Sequence, residues 1–247
     1  MFGKRKTAKQ TANIYEVPVL FPGHPLCKDI LKQEHILIAG TTGSGKSVLL
    51  NSIIFSGLAD YQFVLLDPKL LDLKKWANTG KCAIYAAHPQ ECLSALEAVR
   101  GELWRRIESI PAGANRFRGE QDLVVVIDEM AVLLSYGRAQ VISVLSEIMR
   151  LGRAAGIHVI AATQAPNRGK GGGIPAELQQ CFTASVGLRC RSAIESRQVI
   201  GTSGCENLPR YGKGYYWNPE GTRKVDIPMT HESYLAEQIR RCPKRWW

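Results

Sequence analysis

The sequence predicts an α/β protein with a doubly wound, mostly parallel sheet and helices on both faces. Three observations predict it. The runs His35-Ile36-Leu37-Ile38-Ala39, Leu123-Val124-Val125-Val126-Ile127 and Ile157-His158-Val159-Ile160-Ala161-Ala162 are almost continuously apolar, as strands covered on both faces should be. Stretches with helical periodicity lie between the strands, and that alternation folds into a right-handed parallel sheet. The chain of 247 residues is long enough for one such domain with a full core, and 45% hydrophobic and 22% charged residues are those of a soluble globular protein.

In chain order, Glu16 to Phe21 reads as an entering strand, followed by a turn at Pro22-Gly23-His24-Pro25. The His35 strand runs into Gly40-Thr41-Thr42-Gly43-Ser44-Gly45-Lys46-Ser47, and an apolar helical stretch follows from Val48 to Leu58. Tyr61 to Leu66 is a further strand, ending in Asp67-Pro68-Lys69, and Cys82 to Tyr85 a short one. Pro89 to Ile110 is helical, with apolar positions at Leu93, Leu96, Val99, Leu103 and Ile107. The Leu123 strand ends in Asp128-Glu129; apolar-periodic residues then run from Val141 to Met149 and meet Gly152. In a sheet of this kind ligands sit beyond the strand carboxyl ends, where Gly40, Asp67, Asp128 and Thr163-Gln164 all fall.

Residues 40–47 match G-x-x-x-x-G-K-S between a strand and a helix. Glycines let the backbone wrap closely around phosphates, and the helix N-terminus adds partial positive charge. Gly40, Thr41, Thr42, Gly43, Ser44, Gly45, Lys46 and Ser47 would cradle the triphosphate of ATP, with Lys46 on the β- and γ-phosphates and the Ser47 hydroxyl on Mg²⁺. Asp128 is the expected second support for the metal, and Glu129 the expected general base for the attacking water. The same two acids could instead cap the following helix, where negative charge favours the dipole.

The formal charge of +10 is concentrated in two tails, Lys4, Arg5, Lys6 and Lys9 at the front and Arg240, Arg241, Lys244 and Arg245 at the back. Such a balance suits a polyanion or an anionic surface, or is simply solvated. Trp246-Trp247 at the end could stack on bases or dock on a partner. Seven cysteines are scattered without a Cys-x-x-Cys pair, which argues against zinc and against a disulfide framework. No apolar run approaches the ~20 residues of a membrane span.

The ordered set of motifs resembles the motor domain of the FtsK/SpoIIIE family of DNA translocases, within the FtsK–HerA group of P-loop motors. The resemblance covers most of residues 14–228 and rests on HILIAGTTGSGKS from His35, on Asp67-Pro68-Lys69 and on Ile127-Asp128-Glu129-Met130. It continues through Gly152-Arg153-Ala154-Ala155-Gly156-Ile157-His158, Ala162-Thr163-Gln164-Ala165-Pro166, Ile194-Glu195-Ser196-Arg197, and Leu208-Pro209 with Gly212. Ala165, Val132 and Lys213 stand where the family usually has Arg, an acidic residue and Asp.

The resemblance implies a P-loop NTPase fold of RecA-like type and an ATP-driven homo-oligomeric ring, a hexamer, pumping double-stranded DNA through its pore with ATP between subunits. It makes Gln164 the polar sensor near the γ-phosphate, and Arg153, then Arg197, the arginine acting from the neighbouring subunit. Arg168 and Lys170, on the glycine-rich stretch 167–173, are the expected DNA contacts, and Asp67-Pro68-Lys69 is a further link between nucleotide and pore. Residues 1–13 read as a basic tail, 14–228 as the motor domain, and 229–247 as a short helix with a basic tail. With no membrane region, linker or winged-helix module in this stretch, transfer of a plasmid or mobile element is the expected role, ahead of chromosome segregation. Viral genome packaging is one alternative; a docking or protein-secretion ATPase indifferent to DNA is another. The expected setting is cytoplasmic, with any membrane attachment made through an anchored transfer or secretion component.

Overall fold

A computed structural model describes residues 24–166, 173–228 and 232–243. The expected entering strand at 16–21, the stretch containing Arg168 and Lys170, and residues 244–247 lie outside them. Residues 22 and 23 of the expected turn also lie outside them, and Pro25 opens helix α1 (Pro25–Leu31), where its missing N–H is no loss.

The strands form one eight-stranded sheet among the described residues. They are β1 (His35–Ala39), β2 (Tyr61–Leu66), β3 (Cys82–Ala86), β4 (Asp122–Ile127), β5 (Ile157–Thr163), β6 (Ala184–Gly187), β7 (Lys213–Asn218) and β8 (Gly221–Asp226). Their spatial order is β3-β2-β4-β5-β1-β6-β7-β8. All pairs from β3 to β6 are parallel, whereas β7 pairs antiparallel with β6 and β8 antiparallel with β7. The fold is a RecA-like α/β sheet with an antiparallel hairpin on one edge.

Alternation along each strand divides the core in two. Ile36, Ile38, Phe63, Leu65, Val124 and Val126 face α1 and α2 (Lys46–Gly57), together with Leu235 of the terminal helix α7 (Glu232–Arg241). Leu37, Val64, Leu66, Val125, Ile127 and Val159 face α3 (Pro89–Glu108), α4 (Met130–Ala155) and the short α5 (Ala176–Gln179). A smaller cluster joins Ala39 of β1, Val199 and Ile200 of α6 (Ala193–Ile200), Cys190, Cys205 and Leu208. Helices therefore cover both faces, and the buried strands can be apolar throughout.

The helix read from Val141 to Met149 is one part of a 26-residue helix that starts directly after Glu129. Gly137 kinks it (φ −148°, ψ 58°), and Gly152 lies inside it. The reason for glycine at 152 is close approach, not termination: a Cβ there would collide with the carbonyl oxygen of Ile157. The helix ends at Gly156, whose φ of +65° gives the left-handed cap. Among the described residues no helix is long and apolar enough to cross a membrane.

Candidate active site

Strand register decides which loops meet. Leu66 pairs with Ile127, so Asp67 and Asp128 leave the sheet side by side, and the Asp128 N–H donates to the Leu66 carbonyl at 3.0 Å. Ala39 pairs with Thr163, which brings the start of the glycine loop beside Gln164; the Gly40 N–H donates to the Thr163 carbonyl at 3.3 Å. The carboxyl ends of β1, β2, β4 and β5 thus present one continuous cluster, where the sheet geometry places ligands.

The loop itself is preorganised for an anion. Gly45, at φ +101°, turns the chain into α2 through a conformation other residues rarely adopt, and α2 has no side-chain cap. Its first amide N–H groups are left for a negative ligand. The Lys46 ammonium donates to the carbonyls of Gly40 at 2.7 Å and Thr41 at 3.0 Å, and burial lowers it to about 8 against the opposing pull of Glu129. The Ser44 hydroxyl is buried without a hydrogen-bond partner. A buried orphan hydroxyl, a desolvated cation and an uncapped helix start fit a polyphosphate.

Ser47 donates its hydroxyl to Asp72 Oδ2 at 2.6 Å. Burial pushes the Asp128 carboxyl up to about 7, helped by the nearby Asp72 and Asp67. These are hard oxygen donors in a partly dehydrated, electronegative pocket, and they fit Mg²⁺. Among the described residues no group of three or more His, Cys, Asp or Glu forms a metal cage by itself. Ser47 and Asp128 would hold Mg²⁺ jointly with nucleotide phosphates, the usual arrangement for this ion. Bound there, Mg²⁺ supplies positive charge to the phosphoryl group in transfer.

Glu129 occupies the N-cap position of α4, yet its carboxylate makes no cap bond. It turns across the sheet: Oε1 accepts from the Gln164 N–H at 3.1 Å and Oε2 from Lys69 Nζ at 2.9 Å. With 3% of its surface exposed, it is held in the site and not on the helix end. Thr42 in turn donates to the Gln164 side-chain oxygen at 2.6 Å. One chain of contacts therefore runs from the glycine loop through Gln164 and Glu129 to Lys69.

Lys69 and Asp72 belong to a loop that Asp67 shapes. Its fully buried carboxylate accepts from the backbone N–H of Leu71 at 3.3 Å and Leu73 at 3.0 Å, and its carbonyl from Leu70 at 2.9 Å. Leu70 is driven to φ +63°, left-handed backbone unusual for leucine. Beyond it, buried Trp76 donates its indole N–H to Asn51 Oδ1 at 2.7 Å, and Asn51 donates to the Ser47 carbonyl at 2.7 Å. The loop is tied to α2 at its far end.

The structure therefore brings together the glycine loop, Asp128, Glu129 and Gln164. It does not bring Arg153 or Arg197 to them. Arg153 lies at the amino-end side of the sheet with its side chain 80% exposed, 2.9 Å from Glu34. Arg197, on α6, borders a cleft with Phe182 and Trp217. Within the adjoining motif, Glu195 accepts from the Arg191 N–H at 2.8 Å and Ser196 donates to the Thr202 carbonyl at 2.7 Å, local roles that shape α6.

Two site residues escaped the sequence reading. Asp72 sits in an unremarkable leucine- and lysine-rich stretch, and only the Asp67 turn aims it at Ser47. Arg210 arrives from the distant loop before β7: a Cβ on Gly43 would lie 3.3 Å from its Nη2. Its guanidinium also stacks over Tyr211, 5.1 Å from the ring centroid, adding a cation beside the phosphate loop. No local sequence pattern marks either one.

Residues 2–118 match the model of the FtsK/SpoIIIE family. The chain is 31% identical over 240 residues to the DNA translocase FtsK of Helicobacter pylori (strain J99), across 88% of this chain but 28% of that protein. It thus spans about a quarter to a third of that relative's length. Among solved structures, the cytoplasmic domain of the Thermomonospora curvata type VII secretion ATPase EccC superposes with a TM-score of 0.72 at 26% identity, covering 84% of this chain and 28% of that one. The pCW3 conjugation coupling protein TcpA, in monomer form with ATPγS, gives 0.73 at 21% identity over 86% and 66%; at that identity the likeness is one of fold. The chain is thus similar to the FtsK/SpoIIIE family of P-loop ATPases, over residues 2–118 by the family model and over most of its length by the FtsK relative.

Proposed function

We propose that this chain is an ATP-hydrolysing motor that translocates double-stranded DNA as a homo-oligomeric ring, and that it serves transfer of a plasmid or mobile element. The observation that carries the reading is the convergence of Lys46, Ser47, Asp128, Glu129 and Gln164 at adjacent strand ends in a chain similar to FtsK. ATP with Mg²⁺ is the expected substrate. Lys46 would bind the β- and γ-phosphates, Ser47 and Asp128 would hold the metal, and Glu129 would take the proton of the attacking water. Gln164, hydrogen-bonded to both Thr42 and Glu129, would relay the state of the γ-phosphate.

The remaining roles come from the family reading. An arginine of a neighbouring copy, Arg153 or Arg197, would stabilise charge in transfer. Arg168 and Lys170 would grip the phosphate backbone, and the motor domain would span residues 14–228 in a cytoplasmic setting. Protein secretion is the second reading, favoured by the likeness to the secretion ATPase EccC. ATP hydrolysis with and without long linear duplex DNA, at low and moderate salt, separates them. Strong, salt-sensitive stimulation is expected for a DNA motor; turnover indifferent to DNA but raised by a secretion-signal peptide would replace it with the secretion reading.

A further inference from the structure

Lys69 is a second lysine directed at the phosphate site. Its ammonium lies 2.9 Å from Glu129, and Glu129 is linked through Gln164 to Thr42 of the glycine loop. The same loop sends Asp72 to Ser47, so residues 69 and 72 bracket the place where the terminal phosphate and its metal would sit. The Lys69 side chain is 31% exposed, whereas its carboxylate partner is 3% exposed. Lysine is thus the partner with room to move. Glu129, meanwhile, has each oxygen accepting a hydrogen bond, one from a backbone N–H fixed by β5 and one from this lysine. Each oxygen keeps a second lone pair for a water, and of the two donors only Lys69 can leave, because the backbone N–H is fixed.

We infer that Lys69 exchanges Glu129 for the γ-phosphate when ATP binds, so that it recognises ATP over ADP and frees the carboxylate at the same moment. The inference rests on the ATPase reading of this site. A terminal phosphate brings more negative charge than one carboxylate, and a flexible ammonium follows the larger charge without rearrangement of the backbone. Hydrolysis and loss of the phosphate would return the lysine to Glu129. The site would then be silent with ADP bound.

The test is the dissociation constant of a non-hydrolysable ATP analogue and of ADP, each with Mg²⁺, for the wild-type chain, Lys69→Met, Lys69→Arg, Glu129→Gln and the Lys69→Met/Glu129→Gln double variant. Lys69→Met should weaken the analogue about tenfold and leave ADP within about twofold, the loss of one charge-assisted contact. Lys69→Arg should keep most of the preference. Glu129→Gln, which removes the competing carboxylate, should tighten the analogue, and the double variant should lose that gain. Equal loss of analogue and ADP in Lys69→Met, or no loss of either, would overturn the inference while leaving the nucleotide site in place. Lys46→Ala is the separate control: unchanged binding of both nucleotides would show that the site itself is misplaced and would remove this inference with it. A thermal melt of each variant reports folding, and the analogue-to-ADP ratio does not depend on the folded fraction.

Discussion

At the scale of single residues, protonation is set by what the fold places around each group. His35, at the start of β1, donates through Nε2 to the Met149 carbonyl at 2.8 Å and accepts through Nδ1 from the Val159 N–H at 3.1 Å. A second ring proton would face a donor, and burial lowers the imidazole to about 4. The unfolded chain, with an ordinary histidine near 6.5, binds that proton first. The stabilisation is therefore complete above pH 6.5 and drains away as pH falls toward 4. Urea unfolding of the wild type should lose on the order of 2–3 kcal/mol across that window relative to a His35→Gln chain. Parallel pH curves for the two proteins would refute this.

At the scale of elements, the loop between β2 and the Trp76 turn is the piece on which the site depends. Asp67→Ala leaves the Leu71 and Leu73 N–H groups without their acceptor and should cost about 2 kcal/mol in a urea melt. It should also weaken binding of an ATP analogue, because Lys69 and Asp72 lose their placement. Lower stability with unchanged nucleotide affinity would mean that this loop only supports the fold.

The strands that carry the site were legible because each is a continuous apolar run: β1, β2, β4 and β5 face helices on both sides. Three strands were not read. β6 is four residues with a serine and a glycine, and β8 has glycine, threonine, arginine, lysine and aspartate at an exposed edge. β7 begins with lysine and glycine and is only partly buried. The continuity of α4 was hidden by Gly137 and Gly152, which imitate breaks in a sequence. Lys46, Ser47, Asp128, Glu129 and Gln164 could be read because each follows a legible strand. Asp72 and Arg210 could not, since a turn in one case and a long chain return in the other bring them in.

At the scale of the whole molecule, the sheet order gathers the chemistry on one side and leaves the rest of the surface for partners. Helix α7 packs back on the body: Leu235 is 4% exposed, Tyr234 meets Phe55 edge-on with centroids 6.2 Å apart, and the Gly80 N–H donates to the Pro243 carbonyl at 2.6 Å. A motor that grips a phosphate backbone needs cations on it, and Arg168 and Lys170 are proposed for that contact. Replacing both with alanine should reduce duplex-stimulated ATP turnover several-fold and flatten its salt dependence, with DNA-free turnover retained. Full stimulation in that variant would move the DNA contact to another loop.

The cluster beyond β1, β2, β4 and β5 is proposed to hydrolyse ATP with Glu129 as the base. Its most direct test is a paired measurement on Glu129→Gln: equilibrium binding of ATP with Mg²⁺, and steady-state phosphate release beside the wild type. Retained or tighter ATP binding is expected, with turnover reduced about a hundredfold or more, the loss of a general base. Turnover at the wild-type rate would contradict it.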